Sequence, residues 1–332
     1  IIYKRIRSDN EVSGRIILMA LYLLKYGEIT LKGKNRYFFE KKLLNNIKSQ
    51  LKGLDFEVEF YPGRIYVKSE DAVLEPLKKV FGLVGICEAA RADLDMESLK
   101  QKAVEVIKDL PIKTFKVETK RSNKTFKTKS PEISAEVGGY ILSQVDHLKV
   151  DVHNPDLYLE VEIRDEIYIY THCEKGLGGL PYGCAGKTVH LMSGGIDSPV
   201  AFYQMARRGV TVVPLHFHSK PLTSERSLEK VRDLLRKLTP YVGPIDFYHL
   251  NLFKVQMAIK EVCEHRYFTI LQRRFMTKLA DRLADEVGAL VLSTGENIAQ
   301  VASQTLEGMV CTNEASRKPI LRPLISLDKE DI

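Results

Sequence analysis

Apolar positions along this chain switch repeatedly between a spacing of two and a spacing of three to four. "YLLKYGEI" reads as a strand that ends at a glycine turn, and "NRYFFEKKLLNNIKSQL" carries Phe38, Phe39, Leu43, Leu44, Ile47 and Leu51 as one helical stripe. "FEVEFY" and "IYVKS" alternate on either side of "PGR", the pattern of a hairpin. The next stretch predicts helices over "VLEPLKKVFGLVG", "MESLKQKAVEVIKDL" and "PEISAEVGGYILSQV". It predicts strands over "TFKVETKR", "DLYLEVEIR" and "EIYIYTHCEK". The glycine-rich "GLGGLPYGCAG" reads as a linker. Beyond it strands and helices alternate: "TVHLM", "SPVAFYQMARRG", "VTVVPLHFH", "SERSLEKVRDLLRKLTPY", "PIDFYHLNL", "HRYFTILQRRFMTKLADRLADEVG" and "ALVLST". Such alternation predicts a parallel sheet covered on both faces by helices. The expected fold class is therefore α/β and multidomain. Two α+β regions, 1–75 and 76–178, precede a doubly wound parallel-sheet domain over 179–332.

Composition sharpens this only a little. Hydrophobic residues make up 44% of 332, as in an ordinary globular chain, and no apolar run approaches the ~18 residues of a membrane span. No membrane partner is expected. The apolar run 16–24 does not read as a signal peptide, and residues 1–18 are expected to precede a native start, with Met19 as a candidate. Five cysteines, Cys87, Cys173, Cys184, Cys263 and Cys311, stand without a CxxC pair. That spacing argues for a reducing, cytoplasmic compartment and against a disulfide framework or a zinc site, so no metal-ligand set is assigned. The net charge of +7 is uneven. Residues 1–50 hold 11 basic against 4 acidic side chains, whereas residues 151–200 hold 3 against 8. A basic N-terminal half suits a polyanionic partner, or equally a solvated lysine-rich surface.

The chemistry concentrates in "HLMSGGIDSPVAFYQMARRG". A buried strand delivers the chain to Ser193-Gly194-Gly195, and a helix follows from about Ser198. Glycines let backbone approach a ligand, and the free N–H groups of the turn and helix start attract anions. Asp197 stands where it can hold a magnesium ion or orient phosphates. A lone Gly-Gly could be a tight turn and nothing more. The set Ser193, Gly194, Gly195, Asp197 and Ser198 at the first βα junction favours a phosphate-bearing ligand. The upstream "PYGCAGKT" imitates a Walker A loop but has Pro181 at the first glycine position and leads into a strand, so it is rejected.

"SGGIDS" after a strand resembles the signature of the PP-loop ATP pyrophosphatases. Four further stretches narrow the resemblance: "LLKYGEITLKGKNRYFFEKKL", "FKVETKRSNKTFKTKSPEISAEVGGYI", "GENIAQVASQTLEGM" and "LRPLISLDKEDI". Together they are similar to the tRNA 4-thiouridine synthetase (tRNA sulfurtransferase) family, from about residue 21 to the last residue. The resemblance implies a ferredoxin-like domain and a THUMP domain that bind tRNA, and a PP-loop domain that uses ATP and Mg2+. It implies adenylation of O4 of uridine 8 in tRNA, followed by displacement of AMP by persulfide sulfur. It also implies a cysteine-desulfurase-type donor, a possible homodimer, and sulfur supply for the thiazole of thiamine.

By motif match, Leu191, Met192, Ser193, Gly194, Gly195, Ser198, His216, Phe217, Arg273, Gly295 and Gln304 would form the ATP site, with Asp197 and Lys329 as the functional acid and lysine. His216 could instead be a core histidine, and Arg273 or Lys329 a surface charge. For RNA, the stretch Lys113 to Ser130 offers Lys116, Lys120, Arg121, Lys124 and Lys127, with Phe115 and Phe126 interleaved; the phenylalanines could stack on bases or pack in a core. Lys32, Lys34 and Arg36 in "LKGKNR" are second candidates. The family's sulfur-carrying cysteine is expected beyond Ile332, and none of the five cysteines matches it. Rival readings are a PP-loop synthetase acting on a small acid or nucleotide, and a noncatalytic RNA-binding protein with a degenerate nucleotide fold.

Overall fold

The computed structural model describes residues 19–61, 63–299 and 304–332. The expectation that residues 1–18 precede the native start lies outside them. In chain order the elements begin with β1 (Ala20–Tyr26), α1 (Arg36–Gln50), β2 (Phe56–Tyr61), β3 (Arg64–Ser69), α2 (Leu74–Leu77), β4 (Leu83–Glu88) and β5 (Ala90–Ala92). Then follow α3 (Met96–Ile107), β6 (Thr114–Arg121), α4 (Ser130–Gln144), β7 (Lys149–Val150), β8 (Leu157–Ile163), β9 (Ile167–Tyr170) and β10 (Glu174–Lys175). The remainder comprises β11 (Lys187–Leu191), α5 (Asp197–Arg207), β12 (Thr211–His218), α6 (Glu225–Val242), β13 (Tyr248–Asn251) and α7 (Phe253–Val262). It closes with α8 (Phe268–Val287), β14 (Val291–Thr294), α9 (Leu306–Asn313) and β15 (Ile320–Leu321).

The chain divides into two compact units. The first holds, among the described residues, 19–26, 51–78 and 83–176. One of its sheets is antiparallel, in the order β10-β4-β1-β3-β2. The other runs β5-β9-β8-β6-β7, with β6 parallel to β8 and β7. Helices α3 and α4 cover that second sheet, and Leu99, Ile107, Phe115, Ile133, Ile141 and Val161 are its fully buried core. Asp95 starts α3 by accepting from the Ser98 amide at 2.8 Å, an N-cap that satisfies one orphan donor.

Two expectations fail in this unit. The helix expected through "VLEPLKKVFGLVG" ends after Leu77, and the chain turns at Gly82, whose φ of +102° suits glycine alone. "LVGICE" then becomes β4, because pairing Leu23 with Cys87 and Leu24 with Ile86 buries both strands. The cysteine spacing spoke against a disulfide, yet Cys87 on β4 and Cys173 after β9 are paired as one, across 86 residues of sequence. Sequence spacing carries no information about cysteines that separate strands bring together. Phe115 is also fully buried, so it is core rather than a stacking platform.

The second unit holds, among the described residues, 27–50, 79–82, 177–299 and 304–332. Its sheet is wholly parallel, in the order β13-β12-β11-β14-β15. Phe202, Met205, Val231 and Leu235 of α5 and α6 pack one face with Val212. Ala280, Leu283 and Ala284 of α8 pack the other with Val189, Leu215 and Leu292. The strand order reverses at β11, with β12 on one side and β14 on the other. An open sheet of this kind binds ligands at that reversal, outside the carboxyl ends of its strands. Helix α1 belongs to this unit: Asn46 Nδ2 donates to the Tyr182 carbonyl at 3.1 Å and Gln50 Nε2 to the Pro240 carbonyl at 3.1 Å. Among the described residues no helix is long and apolar enough to cross a membrane.

Candidate active site

Strand β11 carries the chain into the Ser-Gly-Gly turn, and the turn is tied to the helix behind it. The Ser193 amide donates to Ser198 Oγ at 2.9 Å, Ser198 Oγ donates to the Ser193 carbonyl at 3.0 Å, and the two hydroxyls lie 3.0 Å apart. Beneath them His190 is fully buried. Its Nε2 donates to the Ser198 carbonyl at 2.8 Å, so its Nδ1, 2.9 Å from Ser293 Oγ, must accept. Burial pushes the His190 imidazole down to about 4, so it is a neutral strut between β11, β14 and the start of α5.

Gly295, just after β14, fits against the same helix start. A Cβ there would lie 2.8 Å from the Asp197 carbonyl carbon and from the Ser198 amide nitrogen, backbone that cannot yield. Glycine is required at 295 for this close approach. Gly194 and Gly195 meet only ordinary contacts, so their use is consistent with leaving room over the turn.

Of the residues expected at an ATP site, the structure brings Leu191, Ser193, Asp197, Ser198, Arg273, Gly295 and Gln304 to one cavity of about 210 Å³. Gln304 is buried, and its Oε1 has no partner among the described residues. Asp197 and Lys329, 132 residues apart in sequence, meet as an ion pair of 2.6 Å beside the turn. Met192, His216 and Phe217, also expected at the ATP site, are not part of the cavity lining. Met192 packs among the α5 and α6 side chains, and Phe217 packs against the α8 face. His216 Nδ1 donates to the Met192 carbonyl at 2.9 Å, which supports the turn. Burial lowers its pKa, so Nε2 is a bare acceptor, and it has no partner among the described residues.

The motif reading missed part of the lining: Met276 and Thr277 of α8, Thr294, Glu296, Thr312 of α9, and Ile320. A signal for Glu296 was present in "TGEN", but nothing local marks Thr277 or Thr312, which arrive by helix packing.

The basic residues fall in two places. Lys34 is exposed within a short 3₁₀ turn, the Lys32 ammonium lies over the Phe39 ring at 5.2 Å, and Arg36 donates to Glu40 at 2.7 Å. In the other unit, Lys116 pairs with Glu118 at 2.9 Å and Lys120 with Glu160 at 3.0 Å, while Arg121 donates to the Phe126 carbonyl. Lys124 and Lys127 are exposed in the loop after β6. Lys124 also lines a cavity of about 510 Å³ with Tyr61, Tyr66, Asn123, Arg164 and Tyr168.

A parallel sheet whose strand-order reversal carries a Ser-Gly-Gly turn, with a cavity lined by Asp197, Arg273 and Glu296 beside it, defines an α/β nucleotide-handling protein of the PP-loop class. The chain belongs to the ThiI family. The family description "Thiamine biosynthesis protein (ThiI)" matches residues 183–332, "ThiI ferredoxin-like domain" residues 21–87, and "THUMP domain" residues 94–172. A probable tRNA sulfurtransferase of Thermoanaerobacter sp. (strain X514) is 48% identical over 316 residues, covering 94% of this chain and 83% of that protein. One of Clostridium acetobutylicum is 45% identical over 315 residues, covering 94% and 82%. A crystal structure of a 4-thiouridine synthetase–RNA complex with bound ATP superposes with a TM-score of 0.86 at 39% identity, over 94% of this chain and 83% of that one. PH1313 from Pyrococcus horikoshii superposes with a TM-score of 0.75 at 27% identity, over 94% and 97%.

Proposed function

We infer that this protein is an ATP-dependent tRNA sulfurtransferase that forms 4-thiouridine. The observation that carries the reading is the convergence of Leu191, Ser193, Asp197, Ser198, Arg273, Gly295 and Gln304 on one cavity, with Lys329 delivered to Asp197. Uridine O4 attacks the α-phosphorus of ATP, the P–O bond to the β-phosphate breaks, and pyrophosphate leaves. The terminal sulfur of a persulfide then adds at C4 of the adenylated base, and AMP departs with the oxygen. A second thiol attacks the carrier sulfur of the resulting disulfide, which frees 4-thiouridine and leaves the two thiols joined as a disulfide. Backbone N–H groups of the turn and the α5 start hold the phosphates. Arg273 and Lys329 lie where charge grows as pyrophosphate leaves.

Mg2+ would supply counter-charge to the phosphates of ATP. The two carboxylates lining the cavity, Asp197 and Glu296, are each already paired with a cation. With both carboxylates paired, Asp197 would be the side chain to hold such an ion, which would otherwise rest on phosphate oxygens and water. We propose that Lys32, Lys34, Arg36, Lys116, Lys120, Arg121, Lys124 and Lys127 bind the tRNA acceptor end. A cysteine-desulfurase-type donor supplies sulfur, and the enzyme works in the cytoplasm. The thiamine role rests on family membership alone.

The test is release of pyrophosphate from ATP with tRNA bearing uridine or cytidine at position 8. Release only with uridine is expected. Release independent of tRNA would favour a synthetase acting on a small acid. In parallel, tRNA affinity is measured against salt, with and without the unpaired 3′ end. Tight binding that weakens with salt and with loss of the 3′ end supports acceptor-end recognition.

A further inference from the structure

Glu296 joins two arginines that come from different parts of the second unit. Its Oε1 accepts from Arg273 Nη1 of α8 at 2.9 Å, and its Oε2 accepts from Arg322 Nε, just past β15, at 2.9 Å. Thr294 Oγ1 donates to the same Oε2 at 3.2 Å. All three charged side chains are largely sheltered, with 14% exposure at Glu296, 23% at Arg273 and 9% at Arg322. Arg322 is anchored in turn: it donates to Asn313 Oδ1 at 2.9 Å and to the Ile320 carbonyl at 3.3 Å.

We propose that Glu296, braced by Arg322, is a positioning residue that fixes the Arg273 guanidinium in the ATP cavity. The proposal rests on the reading of that cavity as an ATP site. An arginine side chain is long and loses rotamer freedom when it is ordered. A carboxylate that accepts from it sets its orientation before the phosphates arrive. A carboxylate alone would also cancel the arginine's charge and repel phosphate. The second arginine offsets that penalty: the triad of two guanidinium groups and one carboxylate carries a net charge of +1, with Arg273 and Glu296 lining the cavity. The same junction carries the chain onward to Lys329. Asn297 donates to the Leu327 carbonyl, and the Ile298 amide donates to the Ile325 carbonyl at 3.3 Å, so the loop after β14 and the segment ending at Lys329 are bound side by side.

The experiment is a double-mutant cycle read by direct ATP binding, which requires no sulfur transfer. Glu296→Gln and Arg273→Ala are each expected to raise the ATP Kd by about tenfold or more, with little change in tRNA affinity. Adding Glu296→Gln to Arg273→Ala is expected to change Kd by less than about twofold, because the group it orients is gone. Glu296→Asp, which keeps the charge, is expected to recover part of the affinity. Full additivity of the two substitutions, or wild-type affinity in Glu296→Gln, would overturn the proposal. If Glu296→Gln does not fold, Arg322→Lys is put through the same cycle, with the same coupling expected and additivity again decisive against it. Failure of the wild-type protein to bind ATP would instead overturn the ATP reading, and this proposal with it.

Discussion

Glu162 and Glu296 are built alike and sit in different units. Glu162 accepts from Arg64 Nη2 at 2.9 Å and from Arg164 Nε at 3.0 Å, as Glu296 accepts from Arg273 and Arg322. Glu162 is 1% exposed, and the Tyr170 hydroxyl also donates to it at 3.1 Å, so its hydrogen-bonding capacity is spent within the protein. Glu296 lines a cavity, and one of its arginines faces that same space. The ion triad is therefore a construction unit with two uses. Closed on all sides it joins strands; opened on one side it presents a guanidinium. Burial alone would raise the Glu162 carboxyl, and the Arg64 and Arg164 guanidinium groups outweigh it, holding the group below its usual range.

The comparison breaks most sharply at Glu162. Glu162→Ala leaves two arginines without their buried partner and is expected to lower stability by about 3–5 kcal/mol. Chemical denaturation measures this, and a loss under about 1 kcal/mol would mean that the cluster is idle. Next in size, Asp197→Ala is expected to lower tRNA-dependent release of pyrophosphate from ATP by about 10²–10³-fold while tRNA affinity stays near wild type, since the loss falls on the phosphate chemistry. Unchanged pyrophosphate release would remove Asp197 from the mechanism. Replacing Lys120, Arg121 and Lys124 together by alanine is expected to weaken tRNA binding about tenfold and flatten its salt slope. An unchanged slope would make this stretch a solvated face.

A further measurement separates the two units by pH. His190 has its pKa lowered to about 4 from 6.5, so its contribution is fully present above about 6.5 and is lost as pH falls toward about 4. Glu162 is also depressed, so its contribution is present above the ordinary carboxylate value near about 4.3 and is lost only below that, through its folded-state pKa. Stability measured against pH should therefore lose the first component in His190→Asn and the second in Glu162→Gln. Identical pH profiles for wild type and both variants would contradict these assignments.

Much of the parallel-sheet domain was legible because each of its elements has its own period. "TVHLM", "VTVVPLHFH" and "ALVLST" fall on β11, β12 and β14, and the Ser-Gly-Gly turn lies where the motif put it. Helices α7 and α9 were not read. The stripe on α7 is short, and α9 buries only Met309 and Thr312 as hydrophobic or polar anchors.

The sequence by itself determined the strand–turn–helix at Ser193, the basic stretches and the family, because these depend on local periodicity, glycine freedom and residue identity. Only the tertiary structure decided that Lys329 meets Asp197, that Glu296 joins Arg273 to Arg322, that β4 pairs with β1, and that Cys87 lies against Cys173. Each of these joins residues far apart along the chain. Such contacts form when apolar strands and helices bury their faces, and no spacing in the sequence records which distant partners that burial brings within reach.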